Sequence, residues 1–387
     1  MNTTQTALLE ALKSALFGTE PNYPDNTDWS EVVKEAKAQT VMGVISPVIP
    51  IEDESTKIGI SNYIRILYEQ DKLIKLFDSN GIPCVILKGL AAAIYYSKPH
   101  LRAMGDVDVL VPREKIEIAS ALMESNGYVY EHGREENGEL IKNERNIVYK
   151  KNKIVFELHY RFSSHGYDID DIIEAAILKR TYREIDGYSF PMLPEKENGL
   201  VLIGHINQHM RGSELGLRQI LDWAVYVQNA LDDKMWNDEF APLLKEIGLY
   251  RLAVVTTKIC KMFLGLPAEV IWCEDVDDKL AKSMLEIVLS SGNFGRKQHF
   301  TRNESRIRAS VYEVRNKGVH TFLKELGLRK SKVFRSNRIL EHFAWRYGLM
   351  LFVGMGIGAV LKTRNVRKKV TDTNDRLALL EKLGVKS

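Results

Sequence analysis

The chain has 387 residues, of which 45% are hydrophobic and 27% charged; 54 basic and 51 acidic residues leave a formal net charge of +3. That length suits two or three domains and that composition a soluble globular protein. The near-neutral balance gives no global electrostatic case for nucleic-acid binding. The three cysteines, Cys84, Cys260 and Cys273, are scattered and odd in number, so they fit a reducing compartment and form no metal-ligand set. The first residues lack a basic stretch followed by an apolar core, so no signal peptide is expected and the expected location is cytoplasmic.

Helical spacing of apolar residues predicts helices over 5–17 and 29–48, the second with Ser30 as N-cap and ended by Pro47 and Pro50. A long helix follows from about Lys57 to Ser79, stopped by Asn80-Gly81 and Pro83. Then comes a compact α/β pattern: a strand at Cys84–Leu87, a turn at Lys88-Gly89, a short Ala-rich helix to Tyr96, and a strand at Val107–Val111. A helix opens at Pro112 and runs to Asn126, and a strand follows at Tyr128–Glu131. A polar run with Gly133 and Gly138 leads to alternating segments 146–150 and 154–159, which read as a β-hairpin. Beyond Asp168 the pattern is mostly helical, with one short strand at Tyr188–Leu193 and helices at about 195–210, 215–231, 238–247, 250–264 and 277–290. The loop Ser291–Gly295 precedes a basic stretch at Arg296-Lys297, and the last third reads as helical with basic linkers. The expected domains are an N-terminal helical segment (1–60), an α/β core (61–194), a helical domain (195–335) and an apolar and basic tail (336–387).

Tyr347–Leu361 is apolar throughout and is followed by Lys362, Arg364, Arg367, Lys368 and Lys369. It is shorter than the roughly 20 residues that span a bilayer. A buried helix is the simplest reading; peripheral membrane contact through 347–369 is the alternative. Gly354, Gly356 and Gly358 do not have the spacing of a dinucleotide fingerprint and read as small residues for close helix packing.

The chemistry-bearing stretch is Asp106-Val-Asp108-Val-Leu-Val111. Side chains two apart on a strand share a face, and two carboxylates on one face repel unless a cation sits between them. Hard divalent cations take oxygen ligands from carboxylates and phosphates, so the expectation is a Mg²⁺–phosphate site at Asp106 and Asp108. Glu157, between Phe156 and Leu158 on the hairpin's second strand, is the candidate third carboxylate, provided that strand lies beside the first. Lys88-Gly89 stands where a strand gives way to a helix N-terminus, suited to binding an anion through backbone N–H groups and a lysine charge. Arg102 is a second cation near the same strand. His205 and His209 are four apart on one helix face and lack the glutamate of a zinc-protease motif, so they read as structural or substrate-lining. Arg218 and Asp222 have the same spacing; they form either a helix-face ion pair or, for Arg218, a contact with triphosphate or acceptor.

A strand, a glycine turn, a helix and then a strand bearing two spaced aspartates is similar to the nucleotidyltransferase superfamily typified by DNA polymerase beta. The longer string is Leu87-Lys88-Gly89, Leu101-Arg102, Asp106-Val-Asp108, Glu157-Leu-His159-Tyr160, His205, His209 and Gly216-Leu217-Arg218 with Asp222. Over roughly 29–230 it resembles a bacterial family of uncharacterised nucleotidyltransferases. The resemblance implies an α+β fold: a small mixed β-sheet nucleotidyltransferase core with helices, plus a largely helical companion domain. It also implies transfer of a nucleoside monophosphate from an NTP, with ATP the expected donor, to an unknown acceptor hydroxyl, releasing pyrophosphate. Asp106, Asp108 and Glu157 would then be catalytic and metal-binding, with Mg²⁺ or Mn²⁺; Lys88, Gly89, Arg102 and Arg218 would bind the nucleotide. The acceptor could be a sugar, a small molecule, a protein or an RNA end. The turn departs from the superfamily pattern: Leu90 follows Gly89 where many members have serine or glycine, so no hydroxyl there holds a phosphate oxygen. Two alternatives stand beside this reading: a sugar-nucleotide glycosyltransferase using Asp106-x-Asp108, which leaves Glu157 unexplained, and a catalytically degenerate nucleotide- or protein-binding member of the fold.

Overall fold

The computed structural model describes residues 1–132, 134–136, 139–141, 146–162, 169–212, 215–267, 269–293, 318–330, 343–351, 353 and 378–384. Four helices come first: α1 (Thr3–Phe17), α2 (Trp29–Gln39), α3 (Met42–Ile45) and α4 (Glu54–Ser79). The predicted helix over 29–48 is therefore two, because Thr40 takes a left-handed conformation (φ 60°) and breaks it. Its N-cap is Asp28 rather than Ser30: the Asp28 carboxylate accepts from the backbone N–H groups of Ser30 and Glu31, and being ionised it is the stronger cap.

The central sheet follows: β1 (Val85–Leu87), α5 (Gly89–Ala93), β2 (Asp106–Leu110), α6 (Ile116–Ser125), β3 (Val129–His132), β4 (Arg134–Glu136), β5 (Glu139–Ile141), β6 (Asn146–Lys151) and β7 (Ile154–His159). A 3₁₀ turn at Arg113–Lys115, capped by Pro112, leads into α6. The five-stranded sheet has the order β1-β2-β7-β6-β3. β2 and β7 run parallel, and the other neighbours are antiparallel. β4 and β5 form a separate small hairpin within the polar run that the sequence left without strands.

Period-2 alternation sorts the sheet's side chains. Val107, Val109, Ile147, Tyr149, Ile154, Phe156 and Leu158 face a core completed by Tyr63, Ile66, Leu73 and Phe77 of α4 and by Ala119 and Met123 of α6. The opposite face carries the polar residues of the same strands.

After α7 (Ile169–Ile177) comes a hairpin, β8 (Thr181–Ile185) and β9 (Tyr188–Met192), which returns Phe190 and Met192 to that core. β8 is absent from the sequence reading because only Ile185 of its five residues is buried, which leaves no alternation to see. The helical region comprises α8 (Glu195–Gly212), α9 (Leu217–Ala230), α10 (Asp233–Met235), α11 (Ala241–Ile247), α12 (Tyr250–Ile259) and α13 (Asp278–Ser291), with π-helical turns at Trp236–Phe240 and Cys260–Leu264. α8 and α9 pack at short range. A Cβ on Gly199 would lie 2.2 Å from the Tyr226 hydroxyl, so only glycine fits there.

Met1–Lys297 with Gly384–Lys386 forms one compact unit, and Gln298–Leu383 with Ser387 forms a second. The expected divisions at 60 and 194 fall inside the first unit. In the second, a helix runs over Val319–Lys330 and Leu323 and Leu326 are buried. Gly354, Gly356, Gly358, most of the apolar segment after residue 351 and its basic flank lie outside the described residues. So do Arg296 and Lys297. Among the described residues no helix is long and apolar enough to cross a membrane.

Candidate active site

Parallel pairing of β2 with β7 puts Asp106 beside Val155, Asp108 beside Glu157 and Leu110 beside His159. In-register partners of a parallel pair project to the same face. Asp106, Asp108, Glu157 and His159 therefore share one face, opposite the apolar core. On the other side, Glu157 is paired with Val148, and His159 with Asn146, of β6.

β1 pairs Leu87 with Asp108, so the residue that follows the strand turns at the level of that carboxylate. The turn needs positive φ at Lys88 (51°) and Gly89 (26°). A non-glycine residue rarely holds such a conformation, and strain of this kind gathers at functional sites. The turn brings Lys88 Nζ to 2.8 Å from Asp108 Oδ1. His159 Nε2 lies 2.9 Å from the same oxygen and 3.2 Å from Glu157 Oε2. Asn146 Nδ2 donates to Glu157 Oε2 at 2.7 Å.

The electrostatics follow from this geometry. Burial alone would raise the Asp108 carboxyl, but the Lys88 ammonium and the His159 ring outweigh it and hold Asp108 well below the usual carboxylate range. Burial also works against the charges on Lys88 and His159; the facing carboxylates, Asp108 foremost, outweigh it and raise both. Asp106 has no such hydrogen-bonded partner among the described residues. Solvent reaches its side chain, yet the neighbouring Asp108 charge, with desolvation second, pushes its carboxyl up to about 6. Negative charge thus remains in excess on this face. Carboxylates sharing a face are oxygen donors of the kind that hard divalent cations take. Ligand atoms of Asp108, Glu157 and His159 lie within 4.8 Å of one another.

α8 and α9 contribute a second layer. Arg102 is buried at 4% exposure, and its Nε and Nη2 each hold one oxygen of Asp222 at 2.7 Å. The Tyr96 hydroxyl donates to the same carboxylate at 2.8 Å. The expected i, i+4 partnership of Asp222 with Arg218 gives way to this bidentate pair because two parallel N–H···O bonds in a dry site are stronger. Arg218 donates from Nη1 to the Ala103 carbonyl oxygen at 3.4 Å. Burial, then repulsion from Arg102, lowers its pKa. Both guanidinium groups lie within electrostatic reach of Asp106.

His205 and His209 face each other with Nε2 atoms 2.7 Å apart. Burial chiefly, then for His205 the neighbouring His209 ring, and for both the charges of Lys88 and Arg218, drive their pKa values down, His209 to about 3. At neutral pH this is a pair of uncharged rings within electrostatic reach of the same cations.

The structure therefore brings Lys88, Asp106, Asp108 and Glu157 together, with Gly89 at the turn and Arg218 in the second layer, and it commits Arg102 to Asp222. The sequence reading gave no role to His159 or Asn146. The available signal for His159 was its position two residues after Glu157, which fixes it to the same face.

The model of the family described as "Uncharacterised nucleotidyltransferase" matches residues 53–265, and the chain belongs to that family. Among solved structures it is similar to the antibiotic-resistance factor ANT(2'')-Ia, at 12% identity and TM-score 0.34, covering 47% of this chain and 93% of that one. It is also similar to an antigenic nucleotidyltransferase-like protein from Paracoccidioides brasiliensis, at 15% identity and TM-score 0.31, covering 52% of this chain and 92% of that one. No curated protein matches the sequence.

Proposed function

We propose that this protein transfers a nucleoside monophosphate from an NTP, with ATP as the proposed donor, to an acceptor hydroxyl. The observation that carries this reading is the in-register parallel pairing of Asp108 with Glu157, with Asp106 on the same face, in a chain of the nucleotidyltransferase family. Asp106, Asp108 and Glu157 would hold Mg²⁺ or Mn²⁺. Bound there, the divalent ions would neutralise phosphate charge as Lewis acids and template the in-line geometry.

The chain's own residues do the rest. Lys88, the N–H groups of the Gly89 turn and the positive field of Arg218 and Arg102 bind and orient the triphosphate. Leu90 supplies no hydroxyl, so the lysine charge and the backbone share that task. Glu157 orients the acceptor hydroxyl and accepts its proton. The acceptor oxygen forms a bond to the α-phosphorus as the α–β bridging P–O bond breaks, and pyrophosphate leaves with that electron pair. Catalysis of this kind is mainly positioning and charge stabilisation. A sugar-nucleotide glycosyltransferase is less well supported: α1–α4 and β1 stand ahead of β2 in place of a β/α nucleotide domain, and Glu157 has no task there.

The test is transfer of α-labelled NTP, with Mg²⁺ or Mn²⁺, to a panel of sugars, small hydroxyl compounds, proteins and RNA ends. Asp108→Asn is expected to abolish label transfer while circular dichroism shows an intact fold. Unchanged transfer by that variant would sink the assignment.

A further inference from the structure

The hydrogen bonds to the two buried-side carboxylates are distributed unevenly over their oxygens. Asp108 Oδ1 takes both Lys88 Nζ and His159 Nε2. Glu157 Oε2 accepts from Asn146 Nδ2 and has His159 Nε2 3.2 Å away. The other oxygens, Asp108 Oδ2 and Glu157 Oε1, accept no hydrogen bond from the described residues. One edge of each carboxylate is thus saturated by protein donors, and the other remains for a ligand.

His159 is common to both saturated edges. Its Nε2 faces two carboxylate oxygens, which can only accept, so that nitrogen carries the hydrogen and donates. The ring is buried, and its Nδ1 has no hydrogen-bond partner among the described residues. Among the described residues the two carboxylates are therefore the ring's only polar anchor. A histidine that bound a metal through Nε2 would need that nitrogen bare, and its Nδ1–H would need an acceptor, as metal-bound histidines nearly always have. Neither condition is met here.

We propose that His159, supported by Asn146, is a positioning residue. Its Nε2–H lies 2.9 Å from Asp108 Oδ1 and 3.2 Å from Glu157 Oε2, and so fixes the orientation in which the two carboxylates would meet a divalent cation. The inference rests on the nucleotidyl-transfer reading and adds how the two strands' carboxylates are held in one orientation. Strand pairing fixes their Cα atoms, but each side chain keeps its own rotamer freedom. The bridge removes that freedom before the metal arrives, so less ordering remains to be done on binding.

The test is Mn²⁺ binding to the full chain, followed by electron paramagnetic resonance, with thermal melts as the control for folding. Removing a partner that orients a metal ligand typically costs about 10–100-fold in metal affinity. His159→Ala is expected to weaken Mn²⁺ by about that factor. Asn146→Ala, which removes one donor to Glu157, should weaken it less. His159→Gln, whose amide can still donate, should fall between wild type and His159→Ala. Spin-echo modulation of the wild-type complex should show no directly bound nitrogen. Wild-type affinity in both His159→Gln and Asn146→Ala would overturn the proposal, even if His159→Ala fails to fold. A bound-nitrogen signal that disappears in the His159 variants would also overturn it, by making the ring a ligand. No Mn²⁺ binding by the wild-type chain is a separate result: it would remove the metal-dependent reading itself.

Discussion

Asp106 concentrates the chemistry of the acidic face into one side chain. Its carboxyl is pushed up to about 6 because Asp108 beside it stays ionised. A carboxyl whose folded pKa is raised favours the folded state while protonated; that contribution is full below about pH 4 and is lost as pH rises through about 6. Without metal, Asp106's share of the stability should fall over that window, while the lowered His205 and His209 contribute in the opposite sense; Asp106→Asn should therefore gain stability relative to wild type as pH rises from 4 to 7 in urea melts. A proton also competes with a cation for the same oxygen. Mn²⁺ affinity should therefore weaken as pH drops through about 6, and titrations at pH 5 and 7 check this. A flat affinity across that range would mean that Asp106 is not a ligand. The i, i+2 spacing that makes Asp106 and Asp108 neighbours is visible in the sequence, because strand geometry is local. The unequal titration of the two is not: it depends on Lys88 and His159, which lie 20 and 51 residues from Asp108 along the chain.

Among the elements, α9 is tied to the sheet's approach segment by the Arg102–Asp222 pair, both members of which are 4% exposed at their side chains. Removing one member of a buried pair leaves the other charge uncompensated, which costs about 3–5 kcal/mol. Asp222→Asn should destabilise the chain by that order in chemical denaturation. It should also weaken nucleotide binding, since Arg102 and Arg218 would then repel each other without their shared carboxylate. Stability close to wild type would show that the pair does not hold α9 in place. Residues 120 apart in sequence carry no pairing signal, so Asp222 reads there only as a neighbour of Arg218 one turn away. Elements with strong periodicity, such as α4, β7 and α13, were legible because one face of each is apolar. β8 was not, because four of its five residues are exposed. The break at Thr40 was missed because neither glycine nor proline marks it.

At the scale of the whole molecule, a ligand that binds only the folded chain stabilises it by mass action, about 2.7 kcal/mol when the ligand is 100-fold above its dissociation constant. Saturating Mn²⁺ should raise the melting temperature of the wild-type chain, and the rise should vanish in Asp108→Asn. An equal rise in both would place the binding elsewhere. The sequence by itself determined the α+β class and the order of the main elements around the sheet, and it nominated Asp106, Asp108 and Glu157. These follow from patterning over two to four residues and from a motif string whose members are short-range. Only the tertiary structure decided that β2 and β7 are parallel neighbours, which turns Asp106, Asp108 and Glu157 from a conditional set into one acidic face. It also decided that Arg102 belongs to Asp222 and that His159 bridges two strands. Those outcomes depend on which distant segments pack together, and on the low dielectric that strengthens a hydrogen bond once water is excluded; neither is written in local spacing.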